Sequence, residues 1–279
     1  MSVPLFVFLA GHNLAHSPRT WKAIWNQSKR LLFPFLAWSL IGWALSWREG
    51  DGWGTWEFIR LLLSGEAQLG YYFIILVFQI FILSKVLIPW IVNHAKAVLL
   101  LAFLMQALAQ FYSYLYLLGT MDVNLGGLAP SIKSPFPEYL FPRFAFFIAL
   151  GMWAGIRPHW IRRWTERNKL LSIAPFFVAT SLLLILESGL LFYYYHESKG
   201  LAIIQSALQA IPAWKISTTA WSAVSILFLI ALARRRLPLM NTWSRLGKEA
   251  YTVFLLHGVF LTYSSLVIFK INLGRLFCY

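Results

Sequence analysis

Apolar runs of about twenty residues, parted by short polar stretches, follow one another through this chain, and few architectures accept that pattern. A bilayer core of about 30 Å is crossed by about 20 helical residues, so runs of 18 or more with few charges read as transmembrane helices. Eight such segments can be drawn, at about 2–16, 31–47, 71–92, 97–118, 138–156, 171–195, 211–233 and 249–269. The balance of residue types agrees: of 279 residues 59% are hydrophobic and only 12% charged, where a soluble domain carries roughly 25% charged. The expected fold is all-α, a polytopic transmembrane helical bundle of about eight membrane segments, the first one short.

The net charge of +14 would suit a nucleic-acid partner, but its distribution argues for a membrane. Segments 18–30, 85–96, 157–170 and 234–248 hold 16 Lys/Arg and one acid, while 48–70, 119–142, 196–216 and 270–279 hold seven of each. Lys and Arg collect on cytoplasmic loops, so the first set is expected inside and the second outside. Basic runs such as Arg234–Arg236 are then topology determinants and contacts for anionic lipid, and no nucleic acid is expected. The stretch "SPRTWKAIWNQSKR" alternates basic and aromatic residues at helical spacing and reads as an amphipathic helix on the membrane surface. Trp53 and Trp56, in the long outer segment 48–70, are expected as interfacial anchors. A single cysteine, Cys278, excludes an intrachain disulfide framework and any Cys-based metal site.

Ionisable groups inside spans are costly, so each is a candidate site. His257, in "LGKEAYTVFLLHG", falls roughly 12 Å into the last segment at 1.5 Å per residue. An imidazole there suits proton transfer, or serves as a core histidine bonded to a neighbouring helix. Arg143, in "PEYLFPRFAFF", keeps its charge and needs a carboxylate, a ligand or water. Glu187, in "LLLILESGLL", lies in the outer half as well. The two either pair across the bundle or form a polar pocket for an acceptor. Arg30 stands at the inner start of the second segment, as a snorkelling side chain or a phosphate contact. His12 and His16 sit at the inner end of the first. No HExxH, GxSxG, Walker or DxD pattern occurs, which argues against a metalloprotease, an ATPase and a metal-dependent glycosyltransferase, and no metal ligand set is expected.

These stretches, in this order, resemble the membrane acyltransferase 3 family, which transfers acyl groups, often acetyl, to sugars and other hydroxyl acceptors. "VPLFVFLAGHNL" resembles its second-helix stretch, with Ala10-Gly11-His12 in place of Ser-Gly and a bulky residue. "SKRLLFPFLAWSL" is similar to its basic K-R-x-x-x-P helix start, aligning Lys29, Arg30 and Pro34. "GYYFIILVFQI" resembles its W-F-L helix start, with Tyr72 where Trp is usual. "FPRFAFFIALGMWAG" fits an Arg followed by aromatics and a Gly pair. "LGKEAYTVFLLHG" resembles its closing L-G-x-x-S-Y-x-I-Y-L-x-H, with Ala250 for Ser and Phe254 for Tyr.

The resemblance implies one integral membrane domain over 1–279 in a bacterial inner membrane. It also implies that the chain lacks the family's first helix, with its Arg and catalytic His, and its last, as either a truncated product or a shortened variant. The implied reaction moves an acyl, chiefly acetyl, group from acyl-CoA as co-substrate, with no bound cofactor, to a surface carbohydrate or its lipid-linked precursor. Catalysis would fall to His257 and His12, donor binding to Lys29 and Arg30, and acceptor binding to Arg143, Glu187 and Tyr72. Homo-oligomerisation stays open. So do two alternatives: a permease for a glycan or small metabolite, and a non-catalytic truncated relative. Pro34, Pro175 and Pro212, expected near helix starts, speak against the permease, whose helices are broken mid-span.

Overall fold

The computed structural model describes residues 2–16, 20–48, 54–64, 72–120, 137, 139–159, 170–198 and 216–233, and every regular element among them is helical. Helices α1 (Ser2–His16), α2 (Trp21–Arg48), α3 (Thr55–Ser64) and α4 (Tyr72–Thr120) come first. A 3-10 turn, Phe141–Phe144, then leads into α5 (Ala145–Ile156). Helix α6 (Leu170–Tyr193) ends in a π-helical turn, Tyr194–Ser198, and α7 (Ile216–Ala233) follows. Two stretches, Tyr72–Tyr116 and Leu171–Glu197, are long and apolar enough to cross a membrane. Shorter apolar helices occupy Val3–His16, Phe141–Ile156 and Ser217–Leu232.

Helix α4 joins the drawn segments 71–92 and 97–118. His94, at φ −134° and ψ 45°, leaves the helical region and marks where two helices meet. A straight helix of its length would run about 70 Å at 1.5 Å per residue, more than twice a bilayer core. The break lies inside the short basic stretch expected to separate two spans.

Two expectations about α2 are corrected. The amphipathic stretch 18–30 is not a separate surface helix, because α2 runs without interruption from Trp21 to Arg48. Thr20 starts it: its Oγ1 accepts the Ala23 N–H at 3.2 Å and its carbonyl the Ile24 N–H at 3.1 Å, satisfying donors that a helix start leaves orphaned. Pro34 therefore falls mid-helix rather than near a start, and Pro89 and Pro175 also lie inside helices. Such prolines are tolerated in membrane helices, where neighbours re-satisfy the freed carbonyl.

The chain divides into two compact units, the division in α4 falling between Leu83 and Ser84. One holds α2, α3 and the start of α4. Phe35 and Ile74 are its buried centre, with Leu32, Trp38, Leu62 and Ile75 packed around them. Trp43 stacks on Phe58 at 4.8 Å between centroids and 16° between planes, and segment 48–70, outside the drawn apolar runs, carries the helix α3. Trp56 on α3 is 80% exposed, as an interfacial anchor would be.

The other unit holds α1, the rest of α4, α5, α6 and α7. Its α1 and α5 meet in backbone contact. A Cβ on Gly11 would lie 2.6 Å from the Ile148 carbonyl oxygen, and one on Gly155 would lie 2.6 Å from that of His12. A Cβ on Gly151 would collide with the Phe8 carbonyl. Gly151 and Gly155 form a small-xxx-small repeat, and Gly11 and Ala15 answer it on α1, the arrangement that lets membrane helices approach closely. The opposed residues rise together in number, so α1 and α5 run parallel. Helices α6 and α7 run antiparallel: Phe177 stacks on Phe228 at 4.6 Å, and the Trp221 indole N–H donates to Ser181 Oγ at 2.8 Å.

Candidate functional site

Helix α6 carries Glu187 half-buried in its C-terminal half. From α7, the Ser217 backbone N–H donates to its Oε2 at 3.3 Å. Ser217 is near the start of α7, where a helix has spare N–H groups and a positive end that favours a carboxylate. From α4, the Tyr114 hydroxyl makes a second hydrogen bond to Glu187. Just beyond, Leu191 and Tyr195 are buried against Tyr114, Phe192 and Tyr194, and His196 stacks on Phe192 at 5.8 Å. Three helices thus converge on one carboxylate under an aromatic layer.

Among the described residues, Glu187 takes its hydrogen bonds from Tyr114 and Ser217. Arg143 sits in the turn before α5 and is 3% exposed. The residue is engaged by its surroundings, while Nη2 is enclosed with no hydrogen-bond acceptor among the described residues.

His12 lies half-buried on α1, its ring 5.2 Å from that of His16 at 66°. Its carbonyl faces Gly155 across the seam, so it stands roughly 18 Å from the level of Arg143 along α5 at 1.5 Å per residue. The structure does not bring these two together. In the other unit, Lys29 and Arg30 are exposed on α2, with Lys29 Nζ 5.3 Å from the centre of the Trp25 ring, a cation–π contact. Tyr72, half-buried, opens α4 and is engaged by its surroundings. His257 lies outside the described residues. Among the described residues, no group of three or more His, Cys, Asp or Glu could hold a metal ion.

The family model for an acyltransferase domain, Acyl_transf_3, matches residues 1–279. The chain belongs to this acyltransferase family. No curated protein and no solved structure gives a significant match. This family member is membrane-embedded, and its helix contacts give two motifs of the resemblance a physical role. The glycine of Ala10-Gly11-His12 and the pair Gly151/Gly155 are two sides of one crossing, where any side chain would force the helices apart.

Sequence reasoning missed Tyr114 and Ser217 as partners of Glu187. A tyrosine near the end of an apolar run has the signature of an interfacial anchor, and a backbone N–H has no signature at all. It also passed over Gln106 and Gln110, buried amides one turn apart on α4. Their signal was available, as polar side chains inside an otherwise apolar run.

Proposed function

We propose that this family member is an acyl-CoA-dependent O-acyltransferase of a bacterial inner membrane, acting on a hydroxyl of a surface carbohydrate or its lipid-linked precursor. The observation that carries the reading is the family match over residues 1–279. The acyl group, chiefly acetyl, leaves the thioester sulfur of acyl-CoA as its C–S bond breaks. The acceptor oxygen takes its place at the carbonyl carbon. The hydroxyl proton passes to a general base, and the departing thiolate is protonated to free CoA. His257 is assigned the base, with His12 as the second candidate. Lys29 and Arg30 are assigned the CoA phosphates, a role that suits exposed cations free of nearby acids on α2. Arg143, Glu187 and Tyr72 are assigned the acceptor.

The test is transfer of label from acetyl-CoA into glycan by membranes containing the chain. A lost general base costs roughly 10²- to 10⁴-fold, so His257→Ala is expected to fall by at least the lower figure, with His12→Ala scored beside it. Label that enters undiminished in both variants removes these histidines from the mechanism.

The permease reading draws on one observation, the prolines inside α2, α4 and α6. Glycan flux across vesicles without any acyl transfer would favour it over the enzyme.

A further inference from the structure

A cavity of about 500 Å³ lies between α4, α5 and α7, within the roughly 300–1,000 Å³ of small-molecule sites. Phe103 and Phe111 of α4 and Phe146 and Phe147 of α5 form its aromatic walls, and Thr219 and Ala223 line it from α7. Gln106 and Gln110 add amides to the α4 wall.

Gln106 is the informative residue. It is 4% exposed, and its Oε1 accepts the Phe146 N–H at 3.0 Å. That bond fixes which end of the amide faces α5. The opposite end, Nε2, is left as a donor with no hydrogen-bond partner among the described residues. An amide donor at the wall of an apolar chamber is best satisfied when an acceptor enters to meet it. The chamber is large enough to hold the molecule that brings one.

Where the mouth opens decides the ligand class. Phe103 and Phe111 are more than half exposed although they line the cavity, and Leu100, Leu104 and Leu108 are exposed on the same stretch of α4. That stretch belongs to a helix of membrane-spanning length, so its exposed apolar side chains face lipid. What reaches the mouth is what the bilayer dissolves. Gln106 also stands roughly 15 Å, at 1.5 Å per residue, from Tyr116, where the apolar stretch ends. That is about half of a 30 Å core, a depth at which a charged headgroup is excluded.

We propose that this cavity is a lipid site: it takes an uncharged molecule with a hydrocarbon body and offers Gln106 Nε2 to a carbonyl oxygen on it. The site does not depend on the acyltransferase reading, and neither result below bears on that reading.

The full chain in nanodiscs is irradiated with two photoactivatable probes of equal length, the methyl ester of a diazirine-bearing fatty acid and the corresponding diazirine-bearing alkane. Cross-linked peptides are mapped by mass spectrometry. The ester is expected to label peptides containing residues 103–111, 146–147 or 219–223 more strongly than the alkane. Ala223→Phe, which fills the chamber, should abolish that labelling. Gln106→Met should weaken ester labelling by about threefold to tenfold, the weight of one hydrogen bond, and leave alkane labelling unchanged. Gly189→Ala, where an added Cβ meets nothing within 4 Å, should label as the parent does and serves as the folding control. Equal labelling by ester and alkane, or labelling that survives Ala223→Phe, overturns the proposal. The comparison of the two probes needs no variant, so it stands even where a substitution harms folding.

Discussion

At the scale of single residues, Glu187 shows how a carboxylate is accommodated in an apolar helix. Desolvating it is costly, and two donors from two other helices offset part of that cost. Tyr114→Phe removes one donor and changes little else in shape. It is expected to lower stability by about 1 kcal/mol, the net worth of one hydrogen bond, read as a lower melting temperature in detergent. Melting that is unchanged in Tyr114→Phe would mean that Ser217 alone holds the carboxylate. Depth along an apolar run marked Glu187 and Arg143 as unusual but could not pair them. The three groups that meet at Glu187 come from helices far apart in the chain, and no local pattern encodes which helices become neighbours. His257 was marked by the same depth argument and stands where it was, on sequence alone.

At the scale of elements, local physics accounts for most of what the sequence revealed. Apolar length located α1, α6 and α7 and both halves of α4 to within a few residues, because the spacing of the next charges bounds each run. It failed at α2, where Trp21, Trp25 and Lys29 satisfy a surface helix and a span extension equally well. Amphipathic spacing shows that a helix exists but not where it bends. It failed again at α3, a helix within the segment 48–70 that lies outside every drawn apolar run; there Gly54 supplies the carbonyl that starts the helix, accepting the Phe58 N–H at 2.9 Å. The α1–α5 crossing makes a sharp prediction. Gly151→Ala places a methyl group against the Phe8 carbonyl and should cost on the order of 1–3 kcal/mol, as overpacking does. Gly189→Ala meets open space and should be neutral or stabilising by up to about 1 kcal/mol, the helix propensity gain. Thermal melting of the pair checks both, and equal melting of the two would mean that the seam yields freely.

At the scale of the whole molecule, charge alternation assigned each span a direction before any contact was known. Within the unit that holds α1, α5, α6 and α7, the contacts agree with those directions: α1 and α5 are parallel, α6 and α7 antiparallel. The consequence is measurable. In a Cys278→Ser background, a maleimide that cannot cross membranes should label Glu197→Cys from outside intact cells and reach Arg157→Cys only after the membrane is opened. Both positions are exposed at helix ends. The reverse pattern would invert the whole arrangement.

The parallel seam also bears on biosynthesis. Two parallel neighbours cannot form a hairpin, so the segment that fits against α1 leaves the ribosome only after α2, α3 and both halves of α4 have been made. Chains are made from the N-terminus. Until α5 arrives, the glycine-notched face of α1 lacks the helix it packs against, and the nascent protein must shelter it, in the translocon or with an insertion chaperone.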